Sequence, residues 1–243
     1  MTPLLKVITE YCAVYVDDIN LSDLAPIDMP LYARKMYFYL KAAIPLFTSP
    51  AEMQEYLLGT ETNPQFTEPV FADTAFVTTE NKHEDFVVAL GQDYAGYDLC
   101  SCRMQSTAPN GTILMTPVPI TYDKTTGDVT VHATNDFQVK AGTTLDFDLY
   151  TDGAFSNTLS PAIMNILGLC FQVVWINRFM TDWLSMVPKV EDKSFSEQNR
   201  ANKENADTYR LESARRQLDQ EMNKYEHNRY YSQIVTPANR IKL

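Results

Sequence analysis

The residue types that bind metals or transfer protons are few in this chain and lie far apart. The three histidines, His83, His132 and His227, fall in a predicted turn, a predicted strand and a charged helix. None has a second His or a carboxylate at metal-binding spacing together with an obvious third ligand. Cys100 and Cys102 would face the same way on a strand. Structural zinc sites usually combine two such pairs and the chain has one, so packing in a core is the favoured interpretation.

Carboxylates are the other candidates for catalysis. Asp146 and Asp148 share one face of a predicted strand, opposite Phe147 and Leu149. This alternation is the pattern of a half-buried strand with its polar side toward solvent, and a catalytic pair would need a pocket that the sequence does not show. The eight glycines form no phosphate-binding loop, and no Gly-x-Ser-x-Gly elbow occurs. The sequence therefore predicts no catalysis, no cofactor and no metal.

The charge of the chain is uneven. The 243 residues have a formal net charge of −11; residues 1–188 hold 22 acidic and nine basic side chains, and residues 189–243 hold nine acidic and eleven basic ones. An acidic body disfavours tight, non-specific binding of nucleic acid, which depends on neutralising phosphates. Cys12 and Cys170 lie among apolar residues and are expected to be buried thiols of a cytoplasmic chain without a secretory signal. The most apolar run, residues 162–176, is shorter than the roughly 20 residues of a membrane span, so no membrane segment is expected.

These residues must be positioned by an α+β fold. Apolar residues recur at helical spacing in residues 4–18 and 31–46, and residues 22–30 between them are predicted to be a loop. Six short runs rich in Thr, Val, Phe and Tyr follow, separated by turn signals, and predict an inserted antiparallel β-sandwich or barrel-like domain. The predicted parts are an N-terminal helical part of the core (1–65), the β-domain (66–152), an apolar core helix (153–188), and a long polar helix with a docking tail (189–243).

The long polar segment carries one narrow apolar stripe. Leu211, Ala214, Leu218, Met222 and Tyr225 follow one another at steps of three or four residues, the pattern of a helix that lies against one neighbour. Such a helix is not stable alone on so little apolar area. We expect a neighbouring copy of the chain to cover it; a partly disordered tail is the alternative. Leu218→Asp is then expected to weaken assembly and to leave the subunit folded.

Two tryptophans, Trp175 and Trp183, lie eight residues apart in the apolar helix, on nearly the same side. Tryptophan is frequent among the residues that dominate interfaces, although packing in the core explains the pair equally well. The interface residues expected from the sequence are Trp175, Trp183, Leu211, Leu218, Met222 and Tyr225.

Residues 145–200 contain an order of features that resembles a known group. An acidic strand, DFDLY, is followed by the turn TDGAFSNTLS, by a helix with ILGL and a tryptophan, and by the segment VEDKSFSEQNRANK. This order resembles the head-to-tail connector, or neck, proteins of tailed bacteriophages. With the upstream PLYARKMYFYLKAAIPLF, the similarity of pattern covers about two-thirds of the chain. The positions that carry it are Gly153, Phe155, Leu159, Ser160, Ile166, Leu167, Leu169, Trp175, Asp192, Ser196 and Asn199.

The resemblance implies a structural virion protein without catalysis. Such proteins form closed rings, commonly twelve-fold, in the neck between the portal of the capsid and the tail. The implied partners are further copies of the chain, the portal protein, and a tail or second neck protein. Double-stranded DNA would pass through the channel without specific binding, because an acidic wall repels its phosphates. The protein would be made in the bacterial cytoplasm and located in the virion.

Three alternatives remain open from the sequence. One is another virion part, such as a tail-completion or baseplate protein, which would share the acidic composition. The second is an enzyme with its site in the β-domain, which would need convergent polar residues in a pocket. The third is a monomeric adaptor that binds partners through its long helix.

Overall fold

Helices build one half of this protein and antiparallel sheets build the other. The computed structural model describes residues 1–16, 19–107, 113–133, 138–186 and 193–234. Side chains are described for residues 1–16, 23–106, 114–133, 138–178 and 205–230.

Besides a 3-10 turn at Gln92–Tyr94, six helical segments belong to the described residues. The first, α1, changes its winding along its length, from α (Leu4–Val7) through π (Ile8–Cys12) to 3-10 (Ala13–Tyr15). The others are α2 (Ile19–Ile27), α3 (Met29–Ala43, continued by a 3-10 turn at Ile44–Leu46), α4 (Met53–Leu58), α5 (Pro161–Met186) and α6 (Lys193–Ile234).

The loop predicted over residues 22–30 is wrong, because α2 and α3 cover most of that range. The two helices are separated by Asp28 alone, whose carboxylate caps α3. Two prolines lie in this range. Pro30, however, stands in the first turn of α3, where a missing N–H removes no intrahelical hydrogen bond, and Pro26 stands one residue before the end of α2.

Twelve antiparallel strands belong to the described residues. They are β1 (Thr2–Pro3), β2 (Gly59–Thr60), β3 (Asn63–Pro64), β4 (Phe66–Thr67), β5 (Val70–Val77), β6 (Phe86–Ala89), β7 (Leu99–Thr107), β8 (Ile113–Val118), β9 (Ile120–Tyr122), β10 (Asp128–Val131), β11 (Thr144–Thr151) and β12 (Ala154–Phe155). The two larger sheets have the orders β5-β11-β7-β8 and β6-β10-β9, and two small sheets have the orders β1-β12-β4 and β2-β3.

The two larger sheets share one buried core. Leu145, Phe147 and Leu149 of β11 lie in the same apolar cluster as Val129 and Val131 of β10. The strand path passes from one sheet to the other between β8 and β9, with a single residue between them. Within the described residues neither sheet closes into a barrel. The α+β class is therefore confirmed, and the β part is an open arrangement of two sheets.

Helix α5 is the centre of the other core. The predicted apolar helix is present and begins at Pro161, within the expected range 153–188, and its described side chains are buried on several sides. A helix that is apolar around most of its circumference must be covered on most sides, and α1, α3 and α6 pack against it. Gly168 permits the close approach of α1, because a Cβ there would lie 2.7 Å from the carbonyl oxygen of Tyr11. In the part of the chain that the structure describes, no helix combines the length and the hydropathy needed to cross a membrane.

The apolar stripe of α6 packs inside the subunit, which corrects the expectation that a neighbouring copy covers it. Leu211, Ala214, Leu218 and Met222 are buried in the core around α5. Tyr225, at the end of the stripe, is half-buried and meets Phe47 edge-on, with ring centroids 6.3 Å apart. Helix α5, with 26 residues, supplies the long partner surface that was expected from a second copy of the chain.

The first tryptophan also belongs to the core of the subunit. Trp175 lies edge-on to Tyr39, with ring centroids 4.9 Å apart, and is stacked on Phe171 at 6.2 Å. Core packing, the alternative kept open from the sequence, is what the structure shows for Trp175. The side chain of Trp183 lies outside the described residues.

Leu218 is 4% exposed, so Leu218→Ala is expected to lower the free energy of unfolding by about 2–4 kcal/mol through lost contacts and a residual cavity. Leu218→Asp, expected from the sequence to leave the subunit folded, is now expected to unfold it. Equilibrium urea unfolding followed by circular dichroism measures the change. The control is Gln217→Ala at the exposed neighbouring position, expected to stay within about 0.5 kcal/mol. An unchanged urea midpoint for Leu218→Ala would contradict the intramolecular packing of the stripe and would favour an interface between copies.

Candidate functional site

A buried carboxylate lies where α3 meets the four-stranded sheet. Asp28 is the N-cap of α3, and its Oδ1 accepts a hydrogen bond from the backbone N–H of Leu31 at 3.0 Å, which satisfies one of the free amides of the first turn. The same oxygen accepts a hydrogen bond from the Ser101 hydroxyl at 2.6 Å. The other oxygen, Oδ2, lies 2.8 Å from Nε of Arg103. One fully buried side chain therefore ties the helix to the sheet.

Arg103 is shared between two carboxylates. Its Nε faces Asp28, and its Nη2 contacts Oδ2 of Asp148. The antiparallel register brings these groups together: Ser101 and Arg103 lie on one face of β7, and Asp148 lies opposite Ser101 on the same face of β11. We refer to Asp28, Ser101, Arg103 and Asp148 as the ionic cluster.

The face that carries Asp146 and Asp148 is not the solvent-facing side that alternation predicted. The two residues do lie opposite Phe147 and Leu149, which are buried in the β core. Helix α3 packs against their face of the sheet, however, and Asp148 is only 6% exposed. Asp146 accepts a hydrogen bond from the Gln105 amide at 2.5 Å. Alternation separates the two faces of a strand, but it does not reveal whether a helix covers the polar one.

Burial raises the pKa of the Asp148 carboxyl above its ordinary value, and the Arg103 guanidinium opposes that shift. The nearby carboxylates of Asp28 and Asp73 raise the pKa of Asp148 further. The charged form of Asp148 therefore depends on Arg103. A groove of about 320 Å³ borders the cluster, and the exposed ion pair of Arg34 with Asp73, 3.5 Å long, contributes to its lining. With its cation engaged by two carboxylates, the cluster is suited to holding α3 in place and poorly suited to proton transfer.

A hydrogen-bonded chain of three polar side chains lies at the β6-β10-β9 sheet. Nε2 of His132 is 2.8 Å from Oγ1 of Thr121, and Nδ1 of His132 is 2.8 Å from Oδ2 of Asp85. The order hydroxyl, imidazole, carboxylate is that of nucleophile, base and orienting acid in acyl transfer. The side chains of His132 and Asp85 are 38% and 56% exposed. None of these three side chains lines the described cavities of about 320, 250 and 220 Å³, so the hydrogen-bonded group lies outside any described cleft.

A cleft lies where the segment around α4 meets α6. Two adjoining cavities of about 250 and 220 Å³ share Glu52 and Arg229, which form an ion pair at 3.3 Å. The Ser49 hydroxyl donates to Glu226 across the same contact, and Tyr225 lines the smaller cavity. These contacts hold the C-terminal half of α6 on the helical core, so the cleft is the seam of that packing.

The cysteines are packing residues. Cys102 is buried in the β core and Cys100 packs against it, which confirms the favoured interpretation of this pair. Cys12 and Cys170 are buried around α5, as expected, and burial raises the pKa of Cys100 and that of Cys170 to about 12. Thiols with so high a pKa are unreactive near neutral pH. Among the described residues, no group of three or more His, Cys, Asp or Glu side chains is placed to hold a metal ion.

No protein-family model, curated protein or solved structure shows a significant match to this chain. Its function is therefore argued from its own contacts. Four of the residues expected at an interface, Trp175, Leu211, Leu218 and Met222, meet in one intramolecular core, and Tyr225 borders it.

The ionic cluster was not predicted as a site from the sequence. Two signals point to it. Asp28 precedes Pro30 at the start of an apolar periodic run, which is a helix-start signature. Arg103 is the only Lys or Arg between Lys82 and Lys124. Neither signal predicts that the two residues meet.

Arg103→Met is expected to lower the free energy of unfolding by about 3 kcal/mol, because it leaves two buried carboxylates without their cation. Urea unfolding at pH 7 measures the loss. Arg34→Met is the matched control, since it breaks an ion pair whose side chains are 42% and 72% exposed, and it is expected to cost less than about 1 kcal/mol. Equal losses for the two variants would contradict the importance given to the buried cluster.

The loss caused by Arg103→Met is expected to shrink as pH falls from 7 towards 5. Burial already raises the folded-state pKa of Asp148, and removal of Arg103 raises that pKa further. The pKa of Asp148 in the unfolded chain stays at about 3.9. A carboxyl whose folded pKa exceeds its unfolded pKa favours the fold below the unfolded value and loses that stability as pH rises through the folded value. Protonation of Asp148 therefore restores stability to the variant at the lower pH. A difference from wild type that stays constant over this range would contradict the assignment.

Proposed function

We propose that this chain is a structural subunit of a ring in the neck of a tailed-bacteriophage virion, where it connects the portal of the capsid to the tail and lets DNA pass through its channel. The form of α6 is the observation that carries the proposal. Its 42 residues correspond to a rod of about 60 Å. Within residues 205–230, one stripe of this helix is buried and the remaining positions are mainly exposed. A helix of this length, anchored along one side, offers a long outer surface to partner subunits.

The outer surface of α6 has the composition of a contact surface. Tyr209 and Tyr230 are 71% and 62% exposed, and tyrosine is enriched among the residues that dominate binding. Residues 205–230 carry five acidic and five basic side chains, whereas residues 1–188 carry 22 acidic and nine basic ones. A surface without net charge can contact an acidic partner without the repulsion that two acidic surfaces would have. Contacts between unlike faces of neighbouring copies generate a ring when the rotation between the copies closes.

The acidic body supports the role in DNA passage. In a ring of many copies the negative charge of each subunit adds up around the channel, and repulsion of phosphate keeps the duplex from adhering. The partners in this proposal are further copies, commonly twelve, the portal protein, and a tail or second neck protein. The role requires neither catalysis nor a cofactor.

Native mass spectrometry of the purified chain, with negative-stain images of the same sample, tests the proposal. A closed oligomer of about a dozen copies with a central channel is expected. A chain that stays monomeric, both alone and when mixed with isolated portal rings, would contradict it. Labelling of isolated particles would separate the neck from the rival virion positions, because a tail-completion or baseplate protein would be labelled away from the portal vertex.

An enzyme with its site in the β-domain remains the second candidate, and the hydrogen-bonded chain Thr121–His132–Asp85 is the observation that favours it. An acyl-transfer enzyme would release nitrophenol from p-nitrophenyl acetate and would lose that activity in both Thr121→Val and His132→Ala. The neck proposal expects wild type and both variants to release nitrophenol at the same slow rate. A wild-type rate at least tenfold above both variants would favour the enzyme.

A further inference from the structure

The two outer strands of the four-stranded sheet have open edges within the described part of the chain. β5 pairs with β11, β8 pairs with β7, and no other described backbone group pairs with their outer sides. Proteins usually protect such edges with Lys, Pro or a bulge. The eight residues of β5, VFADTAFV, contain no Lys, Pro or Gly. β8 has six residues, and the four before Pro117 can pair without interruption.

Both edges expose apolar side chains. Val70 and Val77 on β5 are 52% and 55% exposed, and Leu114 and Met115 on β8 are 50% and 44% exposed. The register places Val70 and Leu114 on the face of the sheet that forms the β core. It places Val77 and Met115 on the opposite face, which α3 partly covers. Each edge therefore has an exposed apolar residue on each face.

The two edges also run in opposite directions and bring no like charges together. All neighbours in the order β5-β11-β7-β8 are antiparallel, so β8 runs opposite to β5. A second copy placed beside the first, with the same face of the sheet upward, brings its β5 next to β8 in the antiparallel sense, and a register that places Phe76 beside Leu114 also places Ala75 beside Met115. Residues 113–122 contain no charged side chain, so this approach does not oppose like charges on two acidic subunits.

We propose that β8 of one copy pairs with β5 of the next, so that the four-stranded sheet continues from subunit to subunit. The occupant of each edge is a second copy of this chain, and the contact is strand addition through main-chain hydrogen bonds. The inference rests on the proposed ring, because pairing of two different edges is heterologous and lets the assembly close. Pairing of β5 with β5 across a twofold axis would leave the apolar edge of β8 uncovered. In the β6-β10-β9 sheet, the edge strands β6 and β9 have four and three residues and offer shorter templates for strand pairing.

Lysine substitutions at each edge test the contact. The β5-edge variant is Val70→Lys with Val77→Lys, and the β8-edge variant is Leu114→Lys with Met115→Lys. All four positions are exposed, so the variants are expected to fold. Circular dichroism and thermal melting check that they do. The control with the same added charge is Val14→Lys with Val87→Lys, at exposed positions of α1 and β6. Native mass spectrometry is expected to show loss of at least nine-tenths of the wild-type oligomer in each edge variant and none in the control.

Mixing the two edge variants identifies which edges meet. The β5-edge variant keeps a functional β8, and the β8-edge variant keeps a functional β5, so the mixture is expected to form a dimer of unlike chains and nothing larger, while each variant alone stays monomeric. A mixture of folded variants that remains monomeric would overturn the inference. Wild-type oligomers in the β8-edge variant alone would show twofold pairing of β5 and would also overturn it.

The outcomes for the contact and for the ring are separable. Rings in wild type that persist in both edge variants would keep the proposed function and overturn the edge contact. Open oligomers in wild type that never close, but disperse in either edge variant, would keep the edge contact and count against the ring. Loss of oligomers in the charge control as well would show that added lysine, wherever it is placed, disrupts assembly, and the edge contact would be overturned.

Discussion

The buried carboxylate of Asp28 is the point on which the arrangement of the two halves depends. It caps α3, accepts from Ser101 and faces Arg103, so a single side chain fixes the start of a helix to a particular register of β7. Burying charged groups carries a desolvation penalty, and good pairing does little more than offset that penalty. The value of the cluster therefore lies less in net stability than in position, because any displacement of α3 along the sheet would leave a buried charge without its partner.

An aromatic seam continues the same junction without charge. Phe71 of β5 lies between Tyr37 of α3 and Tyr150 of β11, with ring centroids 6.1 and 5.2 Å away. The Tyr150 hydroxyl in turn donates to Asp152, whose carboxylate accepts from the backbone N–H of Leu5 at 3.1 Å. Polar and apolar contacts thus connect α1, α3 and the sheet in series. The two cores are separate clusters of side chains, but their boundary is specified residue by residue.

Local pattern predicted the elements well and their partners poorly. Local spacing and composition located α5, the stripe of α6 and the longer strands from β5 to β11, because each depends on neighbouring residues; α2 and the two-residue strands were not predicted. The partner of the stripe was wrong, since a narrow apolar stripe fits a helix of the same chain as well as a helix of another. Here α6 packs along α5, which is long enough to cover the stripe. The ionic cluster was missed for a related reason: 73 residues separate Asp28 from Ser101, and strand alternation gives the same polar face whether water or α3 covers it.

The packing of α6 on α5 limits how a ring of these subunits would be built. With its apolar stripe occupied by α5, the described part of α6, residues 205–230, offers partners a mainly polar outer side, which suits contacts that are exchanged during assembly more than a permanent seam between copies. The open edges of β5 and β8 lie in the other half of the molecule and supply main-chain hydrogen bonds, which do not require a large apolar area. In the proposed ring, lateral contacts between copies and contacts with the layers above or below would therefore use different halves. The ionic cluster, which fixes α3 on the sheet between those halves, would keep the two sets of contacts in a constant relation.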